Sequence, residues 1–295
     1  MGRRLKGGAA LLVLGLGALG SALVIAPGTA SAGTPIPPPT GAVVVGVAGT
    51  YCPSPAYSTI QSAINAVSAG ATIYVCSGTY GESLTIDKPV TLDGAQYSVD
   101  ARSRDGTNET VIDASAGIVY GAGATGGTLS GFTLTGYSGT SGVVQALGTG
   151  SGWTFTDDVV DVSGGGIALD TDGVANPVAS LVKNDLFEQA TPSAATTGDA
   201  GEAVMITGGA ANNVQITGDT FQELSGPGAA ITTPGTAACG ATLDSTNFSE
   251  NLLVRNDAMS ENGASFTDPV NGPGYVDEPF VDLQCTNAAQ IFDDN

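Results

Sequence analysis

Histidine is absent from this 295-residue chain, tryptophan occurs once, and Lys plus Arg number only 8 against 28 Asp plus Glu. Each shortage removes a class of function. Without imidazole there is no His-assisted Ser or Cys nucleophile and no His ligand for zinc. With a net charge of −20 and no basic patch, the chain cannot neutralise phosphates, which excludes nucleic acid and anionic membrane as partners. An anionic polysaccharide would be repelled as well unless calcium bridged the two. Cysteine is scarce, with Cys52, Cys76, Cys239 and Cys285 the four in the chain. No two of them lie close enough for a zinc motif.

Only one long apolar run is found, from Gly7 to Ala26, preceded by Arg3, Arg4 and Lys6 and followed by Ala30-Ser31-Ala32. Basic start, apolar middle and small residues at the end are expected to make a secretory signal peptide over residues 1–32, the alternative being an uncleaved membrane anchor, since the run is near the length that spans a bilayer. Its loss leaves five basic residues, Lys88, Arg102, Arg104, Lys183 and Arg255. The mature chain is therefore expected to be extracellular, with no membrane attachment after cleavage. Disulfides form and persist there, and of the three possible pairings the nearest neighbours are favoured, Cys52 with Cys76 and Cys239 with Cys285. TPIPPPTG, Thr34 to Gly41, reads as a stiff extended linker, and residues 33–49 as that linker with a leading strand.

One segment has helical spacing. Between Tyr57 and Gly70, Ile60, Ala63, Ile64 and Val67 share a face, and Ser58 with Gln61 matches a capping box. Beyond it, short runs of Val, Ile, Thr and Phe alternate with Gly, Asn, Asp and Ser, the texture of strands and turns. These runs recur. TLSGFTL, TFTDDVV, LVKNDLF, QITGDTF and TLDSTNF each carry an apolar residue followed five positions later by another. First anchors fall at Leu129, Phe155, Val182, Ile216 and Leu243, and second anchors at Leu134, Val160, Phe187, Phe221 and Phe248. The spacings are 26, 27, 34 and 27, with the polar stretch Thr191 to Gly201 as the insertion. A further apolar run precedes each anchor, at Gly117, Gly142, Gly166, Glu202 and Ala229. No unit has enough apolar surface to fold alone, so the units must stack. Propeller blades would need about 40 residues each.

Runs such as GGGIALDTDG and NNVQITGDTFQELSGPGAAI resemble the repeats of right-handed parallel β-helix proteins with the pectin-lyase-like fold. The helical segment leading into ATIYVCSGTYGESLTIDKPVTLDG is similar to the leading segment of pectin esterases and their non-catalytic relatives. The resemblance spans Ala56 to Met259 and implies an all-β, right-handed parallel β-helix solenoid with an N-terminal capping α-helix. The domain is expected over residues 50–267, with residues 268–295 covering its far end. The resemblance does not extend to catalytic residues. The Gly-His-Gly of polygalacturonase-like hydrolases, the lyase arginine motif and the later esterase motifs have no counterpart in this chain.

Candidate chemistry therefore rests on acids. Three positions after the first anchors stand Phe132, Asp158, Asp185, Asp219 and Thr246. Stacked turns would bring Asp158, Asp185 and Asp219 to about 4.8 Å from one another, and their mutual repulsion would raise their pKa values. In the resembling family this bend often carries a ladder of asparagines. Asp157 or Asp158 with Asp185 is the candidate catalytic pair of a glycosidase, with Trp153 or Tyr137 as a sugar-stacking surface and Asp219 as a further binding residue. Asp170 and Asp172, in the DTDG turn, are candidate ligands for calcium, the one cofactor expected. The leading expectation is a secreted β-helix that binds or rests against extracellular polysaccharide or cell-wall glycan without a catalytic set. Its rivals are a hydrolase or lyase working through those aspartates, and a structural or adhesive surface protein.

Overall fold

The computed structural model describes residues 34–147, 150–170, 178–188, 202–207 and 214–222, together with the backbone of short strands beyond them. Residues 1–33, which include the expected signal peptide, the 191–201 insertion, Asp172, Leu243, Cys239 and Cys285 lie outside the described residues.

From Thr72 onward the chain visits three sheets in a fixed cycle. Thr72–Val75 enters sheet 1, Gly78–Tyr80 sheet 2 and Leu84–Ile86 sheet 3, and then Thr91–Asp93 returns to sheet 1 beside its predecessor. Sheet 1 reaches nine strands, beginning with Val43–Val45, and sheets 2 and 3 have seven each. All pairings within these sheets are parallel, each strand lying between its equivalents in the turns before and after. This is an all-β parallel β-helix.

The register follows from the alternation of side chains about the pleat. In sheet 1, Leu92, Leu129, Phe155, Val182 and Ile216 align and point inward. In sheet 2, Leu134, Val160, Phe187 and Phe221 do the same. Strand spacing places like side chains face to face, so Phe187 and Phe221 stack with ring centroids 5.1 Å apart. Across the interior, Tyr120 of sheet 3 meets Phe155 edge-on at 5.5 Å. A shift of one residue would turn every one of these groups to solvent.

The last repeat departs from expectation. Phe248, not Leu243, pairs with Ile216 in sheet 1, and Leu253, not Phe248, pairs with Phe221 in sheet 2. Leu243, Phe248 and Leu253 are evenly spaced by five, so the apolar pattern is satisfied at two offsets and local sequence does not choose between them. Three positions after Phe248 stands Asn251 rather than Thr246.

The helix is also shorter than its periodicity suggests, Ile60–Ala66, with Thr59 rather than Ser58 as N-cap, accepting from Ser62 N. Its other free N–H groups, on Ile60 and Gln61, donate to the Glu82 carboxylate at 2.9 and 3.0 Å. Lys88 Nζ donates to Val67 O at the opposite end. Both partners come from the loops flanking Leu84–Ile86, with charges that suit the helix dipole. The Gln61 amide accepts from Thr85 N and donates to Thr85 O, so it occupies the open edge of sheet 3 that another strand would otherwise seek. Ile60, Ala63 and Ile64 are buried in the main core cluster.

Two N-terminal features complete this end. Cys52 and Cys76 form a disulfide, as the nearest-neighbour pairing anticipates. Residues 34–39 run without helix or strand into a turn at Thr40-Gly41, closed by Ala42 N donating to Pro39 O, and they do not hang free. Tyr74 Oη and Tyr97 Oη donate to Ile36 O and Pro37 O, and Ile36 N donates to Ala95 O. The segment is thus laid over the outer face of sheet 1 instead of serving as a bare linker.

Candidate functional site

In four successive turns the bend from sheet 1 to sheet 2 is made at Gly131-Phe132, where Phe132 already begins the next strand, and at the two-residue links Asp157-Asp158, Asn184-Asp185 and Gly218-Asp219. The first of each pair has positive φ, at 76°, 60°, 57° and 72°, the left-handed geometry that Gly, Asn and Asp tolerate best. That geometry directs the second residue's side chain along the stack. Phe132 N donates to Asp158 Oδ1 at 2.8 Å, Asp158 N to Asp185 Oδ1 at 2.7 Å, and Asp185 N to Asp219 Oδ1 at 2.8 Å. The expected aspartate stack is therefore present, and each acid accepts the backbone N–H of the turn before it.

Asp158, Asp185 and Asp219 are each 0% exposed. They occupy the inward-facing position of Phe132, which lies in the main core cluster, and beside the bends runs a strap that the repeat pattern conceals. Sixteen residues, 94–109, separate Thr91–Asp93 of sheet 1 from Thr110–Asp113 of sheet 2, where later turns need one or two. This strap climbs across the bends. A Cβ on Gly131 would lie 2.1 Å from Tyr97 N, Ser98 N–H donates to the Asp157 carboxyl, and Ala101 N donates to Asn184 O at 3.1 Å. A short 3-10 turn, Ala101–Ser103, capped by Asp100, reverses it, with Arg102 paired to Asp100 at 2.5 Å.

On its way back the strap inserts Arg104, whose side chain is 3% exposed. Its guanidinium donates to Asp157 O at 2.6 Å, Phe132 O at 3.1 Å and Thr133 Oγ1 at 2.9 Å. It also pairs with the largely buried Glu109 carboxylate, which accepts from Thr133 Oγ1 at 2.8 Å. A planar fork with five donors suits this set of acceptors where a lysine would not. Arg102, Arg104, Asp100 and Glu109 were not legible as partners of the bend from sequence. The available signal was the strap's length and its holding two of the five basic residues beyond residue 32.

Burial dominates the electrostatics. It pushes Asp158 up to about 8, opposed by the Phe132 N–H and by Arg104. Asp185 is raised well above the carboxylate range by burial and by the neighbouring Asp219 and Asp158. Asp219 is raised likewise by burial, against the Asp185 N–H and Arg102. Burial also raises Asp157.

The remaining candidates are placed as follows. Trp153 is 0% exposed, its Nε1 without a hydrogen-bond partner, so it offers no face to a sugar. Tyr137 is almost fully buried as well, its hydroxyl accepting from Ser141 N and Gln145 Nε2. Asp219, expected at a binding surface, lies inside the ladder, and Asp157, Asp158 and Asp185 do not converge on an open groove. Asp170 ends the sheet 3 strand Ile167–Asp170. Among the described residues no three Asp, Glu, His or Cys side chains gather as a metal site requires.

An open surface exists elsewhere. On the outer face of sheet 1 the register aligns Thr72, Thr91, Thr128 and Thr154 in four consecutive turns, then Leu181 and Gln215. All four threonines are partly exposed. The adjacent outer row runs Tyr74, Asp93, Ser130, Thr156, Lys183 and Thr217. The N-terminal segment covers Tyr74, and burial pushes Asp93 up to about 6.

No family model and no curated protein matches the chain. Among solved structures it is similar to the pectin methylesterase from Aspergillus niger in deglycosylated form, at 16% identity and a TM-score of 0.41 over 84% of this chain and 92% of that one. A penultimately deglycosylated form of the same enzyme gives 17% identity and 0.41 over 84% and 91%. Likeness this distant transfers no residue role. By its own three parallel sheets and the cycle in which the chain visits them, the protein is a parallel β-helix.

Proposed function

We propose that the protein is a secreted β-helix that binds an extracellular polysaccharide along the outer face of sheet 1 and does not cleave it. The observation that carries the reading is the row Thr72, Thr91, Thr128 and Thr154. Threonine is common in strands, so any one of them is unremarkable, whereas four in register form a flat line of hydroxyls about 14 Å long at the strand spacing. Each hydroxyl both donates and accepts, which suits a chain of sugar hydroxyls. The Cys52–Cys76 disulfide accords with export.

A hydrolase acting through the aspartates is the second reading, and a raised carboxyl pKa is a usual mark of such a site. Here the same mark has a structural origin. Asp158 and Asp185 are wholly enclosed, each with one oxygen bound to backbone, and a general acid must come within hydrogen-bond reach of its substrate.

Retardation in native gels containing neutral or acidic polysaccharides tests the proposal. Retardation by at least one neutral glycan is expected, to be lost in a Thr128→Val/Thr154→Val variant that unfolds at an unchanged temperature. Equal retardation of that variant, or reducing-sugar release that disappears in folded Asp158→Asn and Asp185→Asn variants, would overturn it.

A further inference from the structure

The ladder at the first bend raises a question of protonation that its geometry answers. Asp158, Asp185 and Asp219 each use Oδ1 to accept the backbone N–H of the turn before, and the Thr156 and Thr217 N–H groups also bond to the carboxyls of Asp158 and Asp219. The second oxygen of Asp158 and that of Asp185 are buried with no hydrogen-bond partner. An ionised carboxylate there would leave charge on an oxygen that neither water nor a donor reaches, a costly state. Two further carboxylates would sit about one and two strand spacings away, near 4.8 Å apart.

Compensating charge is short. The strap presents Arg104 and Arg102 to the bend, but Arg104 is paired with Glu109 and Arg102 with Asp100. Asp157 lies beside the ladder and adds a fourth acid. From sheet 3, Tyr120 faces Asp158 across the core with its own hydroxyl unpartnered. A neutral carboxyl meets every one of these constraints. Its carbonyl oxygen accepts the backbone N–H, and its other oxygen carries a proton and no charge. In shape and charge it is then close to a carboxamide, and Asn251 follows at the next equivalent sequence position.

We propose that Asp158, Asp185 and Asp219 are protonated in the folded protein at neutral pH, forming a lock that holds adjacent turns together in acid and neutral media and releases them in alkali. The direction of the shifts agrees, Asp158 rising to about 8 and the other two well above the carboxylate range. In the unfolded chain an aspartate loses its proton near pH 4. Between that value and the folded one the native state holds more protons, so stability falls as pH rises. The contribution is complete below about pH 4, declines above it and is lost once pH passes the folded values, which for Asp158 is about 8.

Denaturant unfolding of the full chain from pH 5 to 9 tests this. The wild type is expected to lose roughly tenfold in folding equilibrium constant per pH unit for each ladder acid that titrates. Asp158→Asn and Asp185→Asn should each flatten the slope by one proton, because the amide keeps the geometry and does not titrate. Variants that keep the full wild-type slope would overturn the proposal. Should a variant fail to fold, infrared spectra of the wild type decide the matter. A protonated-carboxyl carbonyl band at neutral pH that disappears in alkali supports the lock, and carboxylate bands alone refute it.

Discussion

Replacing Arg104 by alanine is expected to loosen the whole first bend. The side chain is 3% exposed and holds Glu109, the carbonyls of Phe132 and Asp157, and Thr133 Oγ1. Hydrogen bonds to a charged group contribute about 1.5–3 kcal/mol each, but they do not add, since one guanidinium makes them all and must be desolvated to do so. The better guide is the cost of breaking a buried pair from one side, about 3–5 kcal/mol, because Glu109 is left enclosed and unpaired. Urea unfolding at neutral pH reads this directly. Arg104→Lys should recover only part of the loss, as an ammonium cannot span acceptors contributed by residues 109, 132, 133 and 157. A double-mutant cycle with Glu109→Gln should show coupling above about 1 kcal/mol. Amide exchange adds an independent readout, since the Phe132 and Asp158 N–H groups lie under the strap and should lose protection before those of sheet 3. A loss below about 1 kcal/mol with unchanged exchange would mean that Arg104 is an ordinary surface charge, and the strap would not be the seal of the ladder.

Two further outcomes follow from the same frame. A Cys52→Ser/Cys76→Ser variant frees a loop with a sequence separation of 24 and should lose about 3.5 kcal/mol on the chain-entropy account, measurable as a lower unfolding midpoint matched by the reduced wild type. Phe187→Ala, which removes a 0% exposed ring stacked on Phe221, should cost about 3–5 kcal/mol. A loss under about 1 kcal/mol would show that the interior repacks there.

The repeat was readable because its signal is local. Leu129, Phe155, Val182 and Ile216 stand in the predicted register, since each unit carries the same spacing of apolar residues and a period of two leaves few ways to bury them. Where that spacing occurs twice in succession, at Leu243, Phe248 and Leu253, the pattern alone leaves two offsets open, and the folded chain adopts the second. The helix shows a related shortfall. Its apolar face was legible, but its ends are set by Glu82 and Lys88, about twenty residues away in sequence, which no capping pattern within the segment reveals.

Placement of the aspartates at one bend was likewise determined by sequence, since equal spacing puts equal positions in line. Their meaning was not. Stacked acids in a turn suit a catalytic groove, a cation site or a ladder equally well, and the choice depends on whether solvent reaches them. That was decided in the folded chain, where the acids share the core-facing position of Phe132 and the 94–109 strap closes over the bend through Arg104, whose contact with Asp157 spans 53 residues. Solvent access is a property of what lies over a residue in space, and strand periodicity carries no information about a segment that leaves the repeat and returns. Composition excluded imidazole chemistry, and spacing established the solenoid. Only the folded chain decided that Asp157, Asp158 and Asp185 are buried while the threonines of sheet 1 are partly exposed.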